Sequence, residues 1–221
     1  MSLTLAFDVY GTLINTHGVV VELEKMIGVK AEDFSYRWRE KQLEYSFRRG
    51  LMQKYQDFST CTKDALIYTN NFYESDLTIA QQNYLLDCYR TLPPFDDVIS
   101  TLQKLKNSQH RLFAFSNGNK KTVEHLLESA NIKQYFEEVV SVEDIRSFKP
   151  DPAVYNHFLN CAKAEKTDTW LISSNSFDVI GARSSGMKAA WVRRSAKQIF
   201  DPWGIEPTMI ISGLTELESA I

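Results

Sequence analysis

Short apolar runs alternate with helical patterns along this chain, and that alternation limits its fold more than any other feature. The runs are Leu3–Phe7, Arg111–Phe115, Glu138–Val142, Trp170–Ser173, Ala189–Val192 and Met209–Ile211. Helical patterns at Asp96–Asn107, Lys121–Ala130, Pro152–Ala162 and Phe177–Ser185 occupy the intervals. Strands spaced by helices of about 10–15 residues build right-handed βαβ units. The expected class is therefore α/β, a parallel sheet with helices on both faces.

One interval breaks the rhythm. Residues 15–91 carry helical patterns at Thr16–Ile27, Ala31–Arg49, Ser59–Tyr73 and Ile79–Tyr89, and no convincing strand. Gly50 suits the C-terminal cap of the second helix, and Pro93-Pro94 ends the segment. The expected organisation is a core of residues 1–14 and 92–221, interrupted by an all-α insertion at 15–91. A chain of 221 residues is long enough for that without covalent staples.

Composition removes several function classes. Net charge is −3 and there is no Lys/Arg run, so nucleic acid is not an expected partner. No apolar stretch approaches the ~20 residues that span a bilayer, and no secretory signal pattern opens the chain. Cys61, Cys88 and Cys161 are far apart and form no C-x-x-C pair, which fits a reduced, cytoplasmic setting. His17, His110, His125 and His157 lack ligand spacing, so structural zinc is not expected.

In an open parallel sheet, ligands bind beyond the carboxyl ends of the strands. Those ends carry Asp8, Ser116-Asn117-Gly118 and Ser173-Ser174-Asn175, and Lys149 follows the third strand. Asp8 sits in Leu5-Ala6-Phe7-Asp8-Val9-Tyr10-Gly11-Thr12-Leu13, where a nucleophile on such a sheet belongs. The competing role is an N-cap aspartate in a strand-to-helix turn. Lys149 beside it would favour the charged carboxylate; alone, a solvated lysine would be the simpler assignment. Arg39 shares a helix face with Leu43 and Phe47, an unusual place for a solvated arginine. Arg48 and Arg49, near the helix end, fit a dipole role.

In that order, Asp8-x-x-Gly11-Thr12-Leu13, Ser116-Asn117-Gly118, Lys149-Pro150 and Asn175-x-x-Asp178 resemble the motifs of the haloacid dehalogenase superfamily. Tyr10, Arg37-Trp38-Arg39-x-Lys41-Gln42-Leu43 and Ser173-Ser174-Asn175 are similar to its L-2-haloacid dehalogenase subgroup. The resemblance implies a Rossmann-like core with a mobile cap and no cofactor. Most superfamily members are magnesium phosphatases with a second aspartate where this chain has Tyr10 and an acidic pair where it has Asn175. A neutral phenol is a poor magnesium ligand and a poor acid for an alkoxide. Halide leaves as a stable anion and needs no proton.

The resemblance implies roles by position. Asp8 displaces halide and forms an ester, and Lys149 supports it. Arg39, a weakly hydrated permanent cation, holds the departing halide, with Asn117, Phe58, Tyr10 and Leu43 around it. Plain core packing suits Phe58 equally. Ser116 and Thr12 orient the substrate carboxylate and Asp8, or act as turn caps. Asn175 and Asp178 serve hydrolysis of the ester, and Asp178 as a structural partner of Lys149 is the alternative. Ser173 and Tyr155 match further site positions. Phe177 stands where the family often has Trp, which keeps an apolar wall and loses an indole N–H.

The expected activity is hydrolysis of short (S)-2-haloalkanoic acids to (R)-2-hydroxy acids, inverting at C2, with water as the only other reactant. The expected assembly, by resemblance, is a homodimer. Three alternatives are a fluoroacetate dehalogenase, a superfamily phosphatase and a non-enzymatic carboxylate-binding protein.

Overall fold

In the computed structural model, which describes residues 2–221, the apolar runs form a six-stranded sheet. The strands are β1 (Thr4–Asp8), β2 (Arg111–Ser116), β3 (Glu138–Ser141), β4 (Thr169–Ser173), β5 (Lys188–Val192) and β6 (Met209–Ile211). Their order is β3-β2-β1-β4-β5-β6, and every neighbouring pair is parallel. Each strand lies within one residue of the run that predicts it. β1 and β4 are buried along their whole length. Central parallel strands are covered on both faces, so they read as continuous apolar runs and not as alternating ones.

This order has a switch point between β1 and β4. From β1 the sheet grows one way through β2 and β3, and the other way through β4 to β6. The crevice at the carboxyl ends of β1 and β4 is the ligand position such a topology provides.

Between β1 and β2 the chain forms α1 (Val20–Ile27), α2 (Ala31–Leu51), α3 (Phe58–Phe72) and α4 (Ile79–Tyr89). The core helices are α5 (Val98–Asn107), α6 (Lys120–Ser129), α7 (Pro152–Ala162), α8 (Ser176–Ser184) and α9 (Leu217–Ala220). Local chemistry explains several starts. Asp57 accepts from the Thr60 N–H ahead of α3, and Thr78 with Gln81 makes a capping box on α4. Asn119 caps α6, and Asp151 precedes Pro152 at the first position of α7.

Gly50 does not cap α2. The helix runs through it to Leu51, and the Met52 N–H donates to the Arg48 carbonyl at 2.9 Å. The first left-handed residue after it is Gln53, so the glycine's freedom is not what ends the helix. The buried stripe of α2 is Phe34, Trp38, Gln42 and Ser46, four residues apart, and it packs against α3. Arg39, Leu43 and Phe47 form the adjacent, half-buried line.

The two passages between insertion and core run side by side. Asn15 N–H donates to the Pro93 carbonyl at 2.9 Å, and Phe95 N–H to the Leu13 carbonyl at 3.0 Å. Arg194 fixes this crossing by donating to the Thr12 carbonyl (2.6 Å) and to Asp97 (2.7 Å), with its guanidinium over the Phe95 ring.

Candidate active site

β1 ends on Asp8, and the chain turns at once. Gly11 has φ +87°, a conformation that favours glycine, and the N–H groups of Thr12, Leu13 and Ile14 converge on the Val9 carbonyl. The turn brings Thr12 back onto Asp8, and its hydroxyl donates to Oδ2 at 2.8 Å. Asn175, at the N-terminus of α8, donates its amide to the same oxygen at 2.7 Å, and the Ser173 hydroxyl does so at 3.3 Å. Oδ2 thus collects three donors. Among the described residues, Oδ1 takes only the Lys149 ammonium, at 3.1 Å.

Lys149 is almost entirely sealed, an extreme position for lysine. Its ammonium donates to Asp8, to the Phe115 carbonyl at 2.9 Å and to Asp178 Oδ2 at 2.8 Å, which uses all its protons. It also lies 4.1 Å from the Phe115 ring centroid. Asp178 is fully buried, and its other oxygen accepts from the Tyr155 hydroxyl at 2.9 Å. Burial pushes the Asp178 carboxyl up to about 6; Lys149 pulls it down and Asp8 pushes it up. Tyr155 is itself sealed, and burial together with Asp178 holds its phenol well above the usual range. It touches Asp178 and no open space, so its place is behind the site.

Arg39 reaches the site from α2. Its Nη2 donates to the Tyr10 carbonyl at 3.2 Å and its Nη1 to Gln42 Oε1 at 2.6 Å. Asn175 donates to the same Tyr10 carbonyl at 3.1 Å. Arg39 is therefore linked to Asp8 through one carbonyl and one amide. Asn117 accepts the Lys149 N–H on its carbonyl oxygen at 2.9 Å, which turns its NH2 away from the lysine. Among the described residues that NH2 has no protein acceptor. Arg48 and Arg49 pair with Glu44 and Asp64 on the insertion and do not reach the site.

Other expected residues have more local partners. The Ser116 hydroxyl accepts from the Gly118 N–H at 3.0 Å and shapes that turn; no bond to Asp8 forms. Phe58 packs on Tyr10 and Phe148. Leu43 is half-buried beside Arg39 on α2. Phe177 meets Phe47 edge-on at 5.0 Å, joining the insertion to the core. Beside that pair lies an apolar cleft of about 430 Å³, lined also by Leu51, Phe148, Lys149 and Trp203. Thr62 and Tyr89 lie outside the sequence motifs, and Gln42 falls inside the Arg37–Leu43 motif without a role of its own. Gln42 stands three residues from Arg39 on one helix, a spacing that puts both on one side.

The donor set does not suit magnesium. Among the described residues, no three His, Cys, Asp or Glu side chains come together to hold a metal ion. Tyr10 packs its ring against Phe58 and Tyr89, and burial raises its phenol far above the usual range, so it stays protonated. Asn175 presents N–H groups to Asp8, and Lys149 holds the cationic position between the two carboxylates.

Fold and site together define a class: a doubly wound α/β protein with a buried, lysine-paired carboxylate at its switch point and a helical insertion directly after the strand that bears it. A family model described as haloacid dehalogenase-like hydrolase matches residues 5–192, and the chain belongs to that family, in the L-2-haloacid dehalogenase subgroup. The (S)-2-haloacid dehalogenase of Pseudomonas sp. (strain YL) is 32% identical over 210 residues, 95% of this chain and 90% of that protein. Haloacetate dehalogenase H-2 of Moraxella sp. (strain B) is 34% identical over 207 residues, 94% of this chain and 92% of that one. The structure of an L-2-haloacid dehalogenase from Xanthobacter autotrophicus with chloropropionic acid covalently bound superposes with a TM-score of 0.92. It is 26% identical and covers 99% of this chain and 98% of that chain. No helix among the described residues is long and apolar enough to cross a membrane.

Proposed function

We propose that this hydrolase converts short (S)-2-haloalkanoic acids to (R)-2-hydroxy acids through an ester on Asp8. The observation that carries the reading is the unequal loading of the Asp8 carboxylate. Three donors hold Oδ2, while among the described residues Oδ1 meets Lys149 alone. Oδ1 is the freer nucleophile. It attacks C2 from the side opposite the halogen, the carbon–halogen bond breaks, and halide departs with the bonding pair toward Arg39 and the Asn117 amide. Attack from the rear inverts C2.

Water then adds to Cγ of the ester. The negative charge grows on Oδ2, where Thr12, Asn175 and Ser173 already point their hydrogens, an arrangement that acts as an oxyanion hole. Asp178 is sealed and cannot meet the water directly. The proton passes to Lys149 as Lys149 gives one to Asp178, a carboxylate whose raised affinity suits it to accept. When Cγ–Oδ1 breaks, Lys149 protonates the departing alkoxide and recovers its proton from Asp178. Asp8 returns as the carboxylic acid with one oxygen from water and releases that last proton to solvent as product leaves, and C2 is not touched again.

The insertion at 15–91 serves as the cap that excludes competing water. Names among the relatives support both 2-haloacids and haloacetates as the substrate class. A phosphatase reading finds no support in the donor set, and a pure binding role gives no reason for Lys149 to be sealed between two carboxylates.

The direct test is halide release from (S)- and (R)-2-chloropropanoate in parallel, with chelator present. Release from the S form alone is expected. Release from neither form or from haloacetate, together with magnesium-dependent hydrolysis of a phosphate ester, would refute the proposal.

A further inference from the structure

Arg39 differs from every other basic residue of α2. Arg37 pairs with Glu40, Lys41 and Arg48 with Glu44, and Arg49 with Asp64. Among the described residues, no carboxylate lies within 4.0 Å of Arg39. Its anchors are uncharged oxygens, those of Gln42 and of the Tyr10 backbone.

The orientation of the Gln42 amide follows from its surroundings. Gln42 is fully buried. The Thr62 hydroxyl donates to the Phe58 carbonyl at 2.8 Å, so its oxygen accepts from Gln42 Nε2, at 2.5 Å. Gln42 Oε1 therefore faces the other way, where it accepts from Arg39 and, at 3.3 Å, from the Tyr89 hydroxyl. The glutamine is satisfied at both ends and can hold the guanidinium in only one way.

We infer that Gln42 is a positioning residue that fixes Arg39 without neutralising it. A glutamate of the same shape would hold the guanidinium as firmly and cancel the charge that a departing anion needs. A neutral amide, aimed by Thr62 on α3 and Tyr89 on α4, supplies the geometry and leaves the whole positive charge for halide. This rests on the reading of Arg39 as the halide site and adds to it a residue that touches neither substrate nor halide.

The test compares Gln42→Glu with Gln42→Met, using chloride itself as the probe. Chloride binding to each protein is followed by chloride NMR line broadening, with thermal unfolding as a check on folding and 2-chloropropanoate turnover measured separately. Gln42→Glu should weaken chloride binding on the order of 10–100-fold, the scale of a charge-assisted contact. Gln42→Met removes the anchor but keeps the charge, and should lose less chloride affinity although it disturbs the packing more. If methionine lowers chloride affinity more than glutamate, in step with stability, Gln42 is only structural and the inference fails. Turnover by the wild type with unchanged chloride affinity in Gln42→Glu would overturn the inference alone. A wild type that neither releases halide nor binds chloride would overturn the reading of Arg39 beneath it.

Discussion

Arg39 and Asn175 donate to the same acceptor, the backbone carbonyl of Tyr10, at 3.2 and 3.1 Å. One residue comes from the helical insertion and the other from the sheet's switch point. The shared oxygen lets a cation on the insertion sense the position of Asp8, because Asn175 also bonds that carboxylate. That carbonyl ties the insertion to the residue that bonds Asp8.

Lys149 separates two buried carboxylates. Lys149→Met should abolish turnover and cost about 3–5 kcal/mol near neutral pH, the scale of breaking a buried pair from one side. The sign with pH is fixed. Without the ammonium that lowers it, Asp178 binds its proton still more tightly folded than unfolded, so the variant should lose stability as pH rises. Urea unfolding at about pH 5 and about pH 8 measures this; an equal loss at both would contradict it.

Asp178 must be ionised to accept a proton. Its folded value is pushed up to about 6, so kcat/KM should rise with pH through that region. In stability the same shift acts in the opposite direction. The native state holds this proton more tightly than the unfolded chain, so the contribution of Asp178 falls as pH rises from about 4 to about 6. Tyr155→Phe removes a hydrogen bond that holds the value down, so the acid limb should move to higher pH. A limb unmoved by this change would show that another group titrates there.

Gly181 tests that arrangement from behind. A Cβ there would come 2.2 Å from the Tyr155 hydroxyl. Gly181→Ala should destabilise the fold by about 1–3 kcal/mol, as overpacking does. It should also shift the acid limb in the same direction as Tyr155→Phe. Wild-type stability and an unchanged pH profile would mean that the methyl group is accommodated without disturbing the Tyr155–Asp178 bond, against this packing.

Phe177 and Phe47 meet beside an apolar cleft of about 430 Å³ that reaches Lys149, and the proposed reaction makes Phe177 part of the substrate wall. Phe177→Ala should raise KM for 2-chloropropanoate and improve kcat/KM for longer 2-halo acids relative to it by about tenfold, the low end for one methylene's worth of pocket discrimination. A chain-length profile identical to wild type would remove Phe177 from the substrate wall.

The fold was legible because the central strands β1 and β4 are buried along their length and the sheet is flanked by helices; even short, partly exposed β6 (Met209–Ile211) falls where its apolar run predicts. Gly50 misled because glycine caps many helices, whereas here backbone bonds from Met52 and Gln53 finish α2 with the glycine inside it. Asp8 and Lys149 could be singled out because charged residues stand out at strand ends. Tyr155 was noticed only by position, and its partner across the core depends on the packing of α7 against α8, which no local pattern encodes. Gln42 lies inside the Arg37–Leu43 motif, but its role is not legible there for a related reason. A neutral amide inside a polar helix looks like solvent-facing sequence until Thr62 and Tyr89 close over it.

The central claim is that an oxygen of Asp8 leaves with the product. A single turnover of excess enzyme with (S)-2-chloropropanoate in ¹⁸O water, followed by mass analysis of the peptide bearing Asp8 and of the hydroxy acid, tests it directly. The heavy oxygen should appear in Asp8, and the first product should be unlabelled. Label in the first product with Asp8 unchanged would mean that water attacks C2 and that Asp8 is not the nucleophile.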